Sequence, residues 1–349
     1  MSARTDLSRV LGVDAPIVLG PFGGLSSVAL TAAVSDAGGL GSYGLYGYDP
    51  DRIRDVIGRL RDATGAPFAV NLWLPTGDEV TPDQVDLTAA REAMRPLFDA
   101  VGVPVPDVPA AFLPDVEAQV DAVLDTAPPV LSVVFSVPSG DLREQTARRG
   151  IRLIGTATTV AEAVAIDGAG VDAIVASGAE AAGHRVSFLA PAEDSLVGTM
   201  ALVPQIVDAV GVPVIAAGGI ADRRGVAAAF ALGAAGVQVG TAFLRTTQSA
   251  APPSHRAAIA AAGDTATVLT RAMSGRLARG IPNRALRMLE QSAPLPFPAQ
   301  NWLTGRFRAA ASAQDRGDLL SLWAGQAAGL TRHNDAAAVF AELAAGLPR

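Results

Sequence analysis

Residues 212–244 read VPVIAAGGIADRRGVAAAFALGAAGVQVGTAFL, and a change of period inside this stretch decides the fold class. Residues 213–217 form a short apolar run that ends at Gly218 and Gly219. Residues 223–232 carry an Ala-rich helical pattern that stops at Gly233, and residues 236–240 form a second apolar run that ends at Gly240 and Thr241. Short continuous apolar runs suit strands covered on both faces, and two of them joined by a helix make a parallel βαβ unit. Residues 225–244 contain no charged side chain and are long enough to cross a bilayer. The break in period, the internal glycines, Gln238 and Thr241 speak against a single membrane-spanning helix there.

Outward from this unit the same alternation recurs. Further strands are expected at 17–19, 39–42, 68–72, 130–135, 152–156 and 172–176, with helical patterns at 27–37, 50–64, 141–149, 159–167 and 200–210. Eight strand–helix units is the count of an α/β (β/α)8 TIM barrel, with a doubly wound sheet as the competing arrangement. Two segments break the rhythm. Residues 76–129 and 250–318 leave from strand C-terminal ends and read as a mainly helical lid or insert, against the plainer alternative of surface insertions. The expected division is a barrel of residues 1–75 and 130–249, lid segments 76–129 and 250–318, and C-terminal helices of residues 319–349 packing on the barrel.

Composition narrows the chemistry. The chain has 349 residues, 50% hydrophobic and 17% charged, and carries 27 Lys+Arg against 34 Asp+Glu for a net charge of −7. An acidic chain without a basic tail is a poor nucleic-acid binder. With no cysteine, disulfides, thiolate metal sites and cysteine nucleophiles are excluded; with three histidines, a multi-histidine metal site is not expected. The start MSARTDLSRVLGVDAP lacks an apolar signal core, so the expectation is a cytoplasmic protein that binds neither membrane nor nucleic acid.

Glycines at strand ends carry the functional signal. Gly218–Gly219 and Gly240–Thr241 follow the seventh and eighth strands, where barrels commonly hold a phosphate: glycine lets backbone approach the anion, and a helix start offers free N–H groups. The ligand would be a phosphorylated substrate or a nucleotide such as FMN. After the first strand, GPFGG with Phe22 makes an apolar close-approach loop, and Asn71 in FAVNLWLP puts an amide at the same end of the barrel. The sixth strand runs into ASGAEAAGHRVSF, where Ala181, Ala182 and Gly183 leave room beside His184. An imidazole of ordinary pKa titrates near neutrality, as a general base needs. Glu180 is a candidate to orient it, though a solvated carboxylate is the plainer reading. His255 and His333 look like surface or capping residues.

The segments PIVLGPFGG, SDAGGLGSYG, PFAVNLWLP, AEAAGHRVSFLAP, VPVIAAGGIADRRG, GAAGVQVGTAFL, TRAMSGRLARGIPNR, FPAQNWLT and WAGQAAGL together resemble the nitronate monooxygenase family, in its bacterial class I form, over nearly the whole chain. The resemblance implies an FMN-containing TIM barrel with a lid that oxidises alkyl nitronates with O2 to a carbonyl compound and nitrite. By position, the family's phosphate segment falls on Gln238, Val239, Gly240 and Thr241, its strand glycine on Gly219 beside Gly218, its amide on Asn71 and its catalytic histidine on His184. The flavin ring would lie near Phe22, Asn71, Ser177, Ala182 and Gly183. Three positions depart from the family's usual residues: Phe22 for Met, Ser177 for Gln and Ala182 for Gly.

Arg276, Arg279 and Arg284 would attract an anionic nitronate if the lid turned them inward, a solvated face being the plainer expectation. The absent cysteine separates the chain from inosine-monophosphate and class 1 dihydroorotate dehydrogenases. Two other readings stay open: an FMN-dependent NAD(P)H reductase of a quinone or enoyl thioester, and an FMN-binding barrel without activity. A homodimer is possible.

Overall fold

Among the described residues twelve strands form, and their order follows the expected alternation: β1 Ile17–Leu19, β2 Gly41–Gly44, β3 Phe68–Trp73, β4 Val130–Val134, β5 Arg152–Ala157, β6 Ala173–Ser177, β7 Gly183–His184, β8 Val214–Ala217, β9 Gly236–Val239, β10 Val268–Thr270, β11 Ala278–Ile281 and β12 Leu322–Trp323. The computed structural model describes residues 7–348, so the part of the N-terminal reading that rests on residues 1–6 lies outside the described residues. Eight strands pair in parallel in the order β1-β9-β8-β6-β5-β4-β3-β2. Leu40 closes the ring against β1: its N–H donates to Ile17 O and its carbonyl accepts from Leu19 N–H, both at 2.9 Å. This is a (β/α)8 barrel. β2 begins two residues later than expected, because Gly38 (φ +93°) and Gly39 form the tight turn into it; a Cβ at Gly39 would lie 2.7 Å from Ile17 O.

The surrounding helices start where the sequence supplies caps. Ser27, Asp49, Ser139, Thr159 and Asp222 each accept a hydrogen bond from an amide in the first turn that follows. The uncharged stretch 225–244 divides into the helix Arg223–Ala231 and β9, and among the described residues no helix is long and apolar enough to cross a membrane.

Strand periodicity then sorts the side chains. Val18, Ala69, Val130, Ile154, Val175 and Ile215 form one cluster inside the barrel, closed below by Leu7 and Leu11 of the helix Leu7–Leu11, while Ile17, Val70, Leu131, Ile174 and Val239 pack against the helices. Moving two residues along each inward row reaches Asn71, Ser132, Thr156 and Ser177 at the C-terminal end; Gln238 lies on the inward row of β9.

A second layer sits on that end. β10, β11, β12 and β7 form a small antiparallel sheet, with Ala278 opposite His184 and Arg279 opposite Gly183. The lid is therefore part sheet, and one of its strands comes from the loop after β6. Its core joins Met94, Leu97 and Phe98 of the helix Thr88–Asp99 to Leu303 and Phe307 of the helix Ala299–Ala313. The helix Val116–Thr126, at the end of the first inserted segment, packs on the helix Pro50–Ala63 in the barrel's outer ring. Residues 319–349 are mixed: Leu322–Trp323 is a strand of the lid sheet, whereas the helix Ala336–Ala344 packs on β1 and on the helices Val28–Asp36 and Arg223–Ala231.

Candidate active site

The strand C-terminal ends and the lid enclose a cavity of about 650 Å3. Of the residues singled out in the sequence, Phe22, Asn71, Ser177, Ala182, Gly183, His184, Gly218, Gly219, Gln238, Gly240 and Thr241 line it. Val239 does not: its side chain is buried on the outward face of β9, and it reaches the site only through its carbonyl, which accepts from Gly20 N–H at 2.9 Å. The two-residue period of the strand leaves Val239 only its backbone to offer a ligand.

The barrel wall is built from backbone and small groups. Gly218 and Gly219 have φ of +100° and +73°, a conformation that side chains disfavour, and a Cβ at Gly218 would lie 3.0 Å from Ala181 N and 3.1 Å from Thr199 Oγ1. Glu180, read as solvated or orienting His184, does neither. It is half-buried and accepts from Thr199 N–H (2.9 Å) and Thr199 Oγ1 (3.0 Å), and Thr199 Oγ1 lies 3.0 Å from Gly218 O. Asn71 donates from Nδ2 to Ser132 Oγ at 2.9 Å, and among the described residues nothing donates to its Oδ1. Thr241 Oγ1 accepts from Gly325 N–H at 3.0 Å and keeps its proton to donate. Gly325 has to be small, since a Cβ would lie 2.8 Å from Glu180 O.

Side chains make the opposite wall. The helix Ala299–Ala313 presents Asn301, Gly305, Arg308, Ala309 and Ser312 to the cavity, a spacing that keeps them on one face. Arg308 donates from Nη2 to Asn301 Oδ1 (2.7 Å) and from Nη1 to Ser321 Oγ, while its Nε is sealed from water without a partner. No carboxylate lies within ion-pairing distance of Arg308 among the described residues. Burial pulls its pKa down to about 10, so it stays charged near neutrality. Asn301 Nδ2 donates to Tyr46 OH at 2.8 Å, and burial pushes that phenol up to about 12.

His184 sits between the walls. Its ring meets Trp73 edge-on (centroids 4.9 Å apart) and Trp323 (5.5 Å), and its Nε2 lies 2.8 Å from Ser274 Oγ. Burial first, then the positive charges of Arg276 and Arg308, pull its pKa down to about 3. The expected near-neutral titration is thus absent from this structure: His184 is an uncharged imidazole across the physiological range.

The remaining expectations divide. Arg276 is buried, not solvated: it pairs with Asp78 (2.6 Å) and Glu79 (2.8 Å) between the rings of Phe135 and Phe297, and it does not line the cavity. Arg279 is also buried and donates to Ala179 O at 2.9 Å. Arg284 is exposed, 3.6 Å from Asp318. His255 is 1% exposed, lines the cavity and bonds Trp323 O through Nε2 at 3.0 Å, so it is no surface residue; His333 is half-buried. Arg308, Asn301 and Ser274 went unread in the sequence. The available signal was one Arg on a helix face otherwise made of Asn, Gly, Ala and Ser.

Comparison with known proteins agrees with this architecture. The family model described as Nitronate monooxygenase matches residues 4–346. A probable nitronate monooxygenase of Staphylococcus aureus (strain Newman) is 40% identical over 326 residues, covering 93% of this chain and 91% of that one. Among solved structures, nitroalkane oxidase from Streptomyces ansochromogenes aligns with a TM-score of 0.88 at 35% identity over 98% of this chain and 97% of its own. FabK from Thermotoga maritima aligns with a TM-score of 0.76 at 29% identity, over 98% and 95%. With a barrel whose strand ends carry the glycine turns, a histidine at the lid seam and a family match over nearly all its length, the chain belongs to the nitronate monooxygenase family, which makes it a flavin-dependent oxidoreductase.

Proposed function

We propose that the protein binds FMN against the barrel wall and oxidises anionic alkyl nitronates with O2, giving a carbonyl compound and nitrite. The barrel wall suits a flavin mononucleotide. It has left-handed glycines, a spare hydroxyl proton on Thr241, and Gln238 and Asn71 Oδ1 without hydrogen-bond partners among the described residues. In this reading Gly218, Gly219, Gly240 and Thr241 hold the phosphate, and Phe22, Asn71, Ser177, Ala182 and Gly183 adjoin the ring. Bound there, FMN would supply the redox chemistry between the nitronate and O2 that no side chain of the site can provide.

The observation that carries the substrate class is Arg308. A guanidinium that lines a cavity without a carboxylate partner, opposite an uncharged histidine, favours a ligand that brings its own negative charge. Arg308 would draw the nitronate in, Asn301 and Ser321 would hold the guanidinium still, and Trp73 and Trp323 would keep water from the reacting carbon. His184 would contact the nitro group or take the α-proton of a neutral nitroalkane. The bound anion would raise its pKa from the resting value.

The test is nitrite release from a panel of nitronates and neutral nitroalkanes, after the flavin freed by denaturation has been identified as FMN or FAD. His184→Asn should retain fold and FMN. It should lose about two to four orders of magnitude in rate on a neutral nitroalkane, the usual worth of a general base, and less on the preformed nitronate. Nitrite release undiminished in His184→Asn on every substrate would remove His184 from the chemistry. Anaerobic flavin bleaching by NADH without nitrite release from any nitronate would replace the proposal with an NAD(P)H reductase.

A further inference from the structure

Ser274 lies outside the cavity lining and is fully buried, yet its hydroxyl bonds the ring of His184. It is held firmly. Gly275 (φ +85°) turns the chain where a Cβ would lie 2.6 Å from Leu295 O. Gln300 Nε2 donates to Ala272 O (2.5 Å) and Thr304 Oγ1 to Met273 O (2.6 Å), so the helix Ala299–Ala313 grips the two carbonyls just before Ser274. Arg271 donates to Gly275 O just after it, at 3.0 Å.

The hydrogen bonds at Ser274 Oγ can be counted. A serine hydroxyl has one proton and two lone pairs. Arg276 N–H donates to one lone pair at 3.3 Å, and the proton reaches Arg276 O at 3.1 Å, a carbonyl with no other partner among the described residues. One lone pair remains for His184 Nε2 at 2.8 Å, and it can only accept. Every group is satisfied when Nε2 carries the ring proton. The other assignment, with Ser274 donating to Nε2, leaves the buried Arg276 carbonyl without a donor, which costs about 1–3 kcal/mol.

We propose that Ser274 is the positioning residue of this site: it fixes His184 as the Nε2–H tautomer, so that Nδ1, with a free lone pair, is the atom offered to the ligand. A proton taken from the α-carbon of a neutral nitroalkane would then arrive at Nδ1 and form the imidazolium. The Nε2–H bond to Ser274 would stay unbroken, and the C–H electron pair would stay on the carbon as the nitronate. The same imidazolium, protonated from solvent, would donate from Nδ1 to an oxygen of a preformed nitronate. The consequence for catalysis rests on the proposed role of His184; the tautomer itself does not.

The test uses 15N-histidine-labelled holoenzyme, whose three histidines are few enough to resolve, with His184→Asn identifying the His184 signals. At pH 7 wild-type His184 should show a pyrrole-like Nε2 and a pyridine-like Nδ1. In Ser274→Ala, with native circular dichroism and bound flavin as controls, the two forms should mix. In that variant kcat should fall about tenfold with KM within about twofold, the worth of one hydrogen bond acting on chemistry rather than on binding. A wild-type His184 protonated on Nδ1 overturns the proposal even if Ser274→Ala does not fold, and so does an unchanged tautomer in the variant. A correct tautomer shift with unchanged kcat would keep Ser274 as the tautomer lock and count instead against His184 as the reacting base.

Discussion

The two walls of the cavity are made by different means. The barrel wall presents glycines and short polar side chains from strand ends, while the lid wall presents Arg308, Asn301 and Trp323. Backbone at a strand end is held by the sheet and can be moved little by substitution, so it suits a ligand that every turnover shares. Side chains on a helix are exchanged one at a time, which suits discrimination among substrates. The difference teaches that, in the proposed function, cofactor and substrate would be held by separate structural layers, and that His184 belongs to both: it leaves a barrel strand yet pairs with β11 of the lid.

The largest expected effect breaks the barrel half alone. Gly240→Asp places a carboxylate where a Cβ has ordinary room, 3.5 Å from the Phe22 ring, so the fold should survive. Two like charges in the proposed phosphate site should weaken FMN at least about a hundredfold by equilibrium dialysis. Retention of FMN with wild-type affinity would move the phosphate elsewhere. Arg308→Gln tests the other half. It should keep the flavin and raise the dissociation constant of an anionic substrate about ten- to a hundredfold, the worth of a charge-assisted hydrogen bond. Equal loss of anionic and neutral ligands would make Arg308 a structural residue. All 27 basic residues of the chain are arginines, so no lysine is at hand to take its place.

The smallest effect concerns pH and sharpens the contrast from the lid side. Burial pulls His255 down to about 4 and His184 to about 3. Both are uncharged, folded or unfolded, above pH about 6.5. As pH falls below that value the unfolded chain takes up protons that the folded chain refuses, so stability is lost from about pH 6.5 downward and the loss levels off below the folded pKa values. Thermal melts should therefore show Tm falling between pH 6.5 and 4.5. His255→Gln, which keeps a donor for Trp323 O, should flatten that fall by as much as about 3 kcal/mol in stability terms. A variant with the wild-type slope would show that His255 is not the group responsible.

Legibility followed the range of the forces involved. The barrel wall was readable because a strand's two-residue period and a glycine turn are local: AAGGI and VQVGT place Gly218, Gly219, Gly240 and Thr241 at the cavity without knowledge of any neighbour. By that same rule Val239, one residue out of phase with Gln238, turns its side chain away from the cavity. Arg276 and Arg279 read as surface charges because their partners, Asp78 and Glu79 in one case and Ala179 O in the other, lie about a hundred residues or more away in the chain. His255 read as exposed for the same reason.

The sequence alone therefore determined the alternation of strands and helices and the end that carries the site, because hydrophobic period and cap chemistry act within one or two turns of chain, while closure of the strands into a barrel was decided by the pairing of Leu40 with β1. Tertiary structure alone decided what His184 is. Its 2.8 Å bond to Ser274, ninety residues on, and its enclosure by Trp73 and Trp323 from opposite ends of the chain arise only when the lid sheet closes on β7. Desolvation and the charges of Arg276 and Arg308 act through space, so the imidazole's charge state is a property of the assembled lid and not of the residues beside it in sequence.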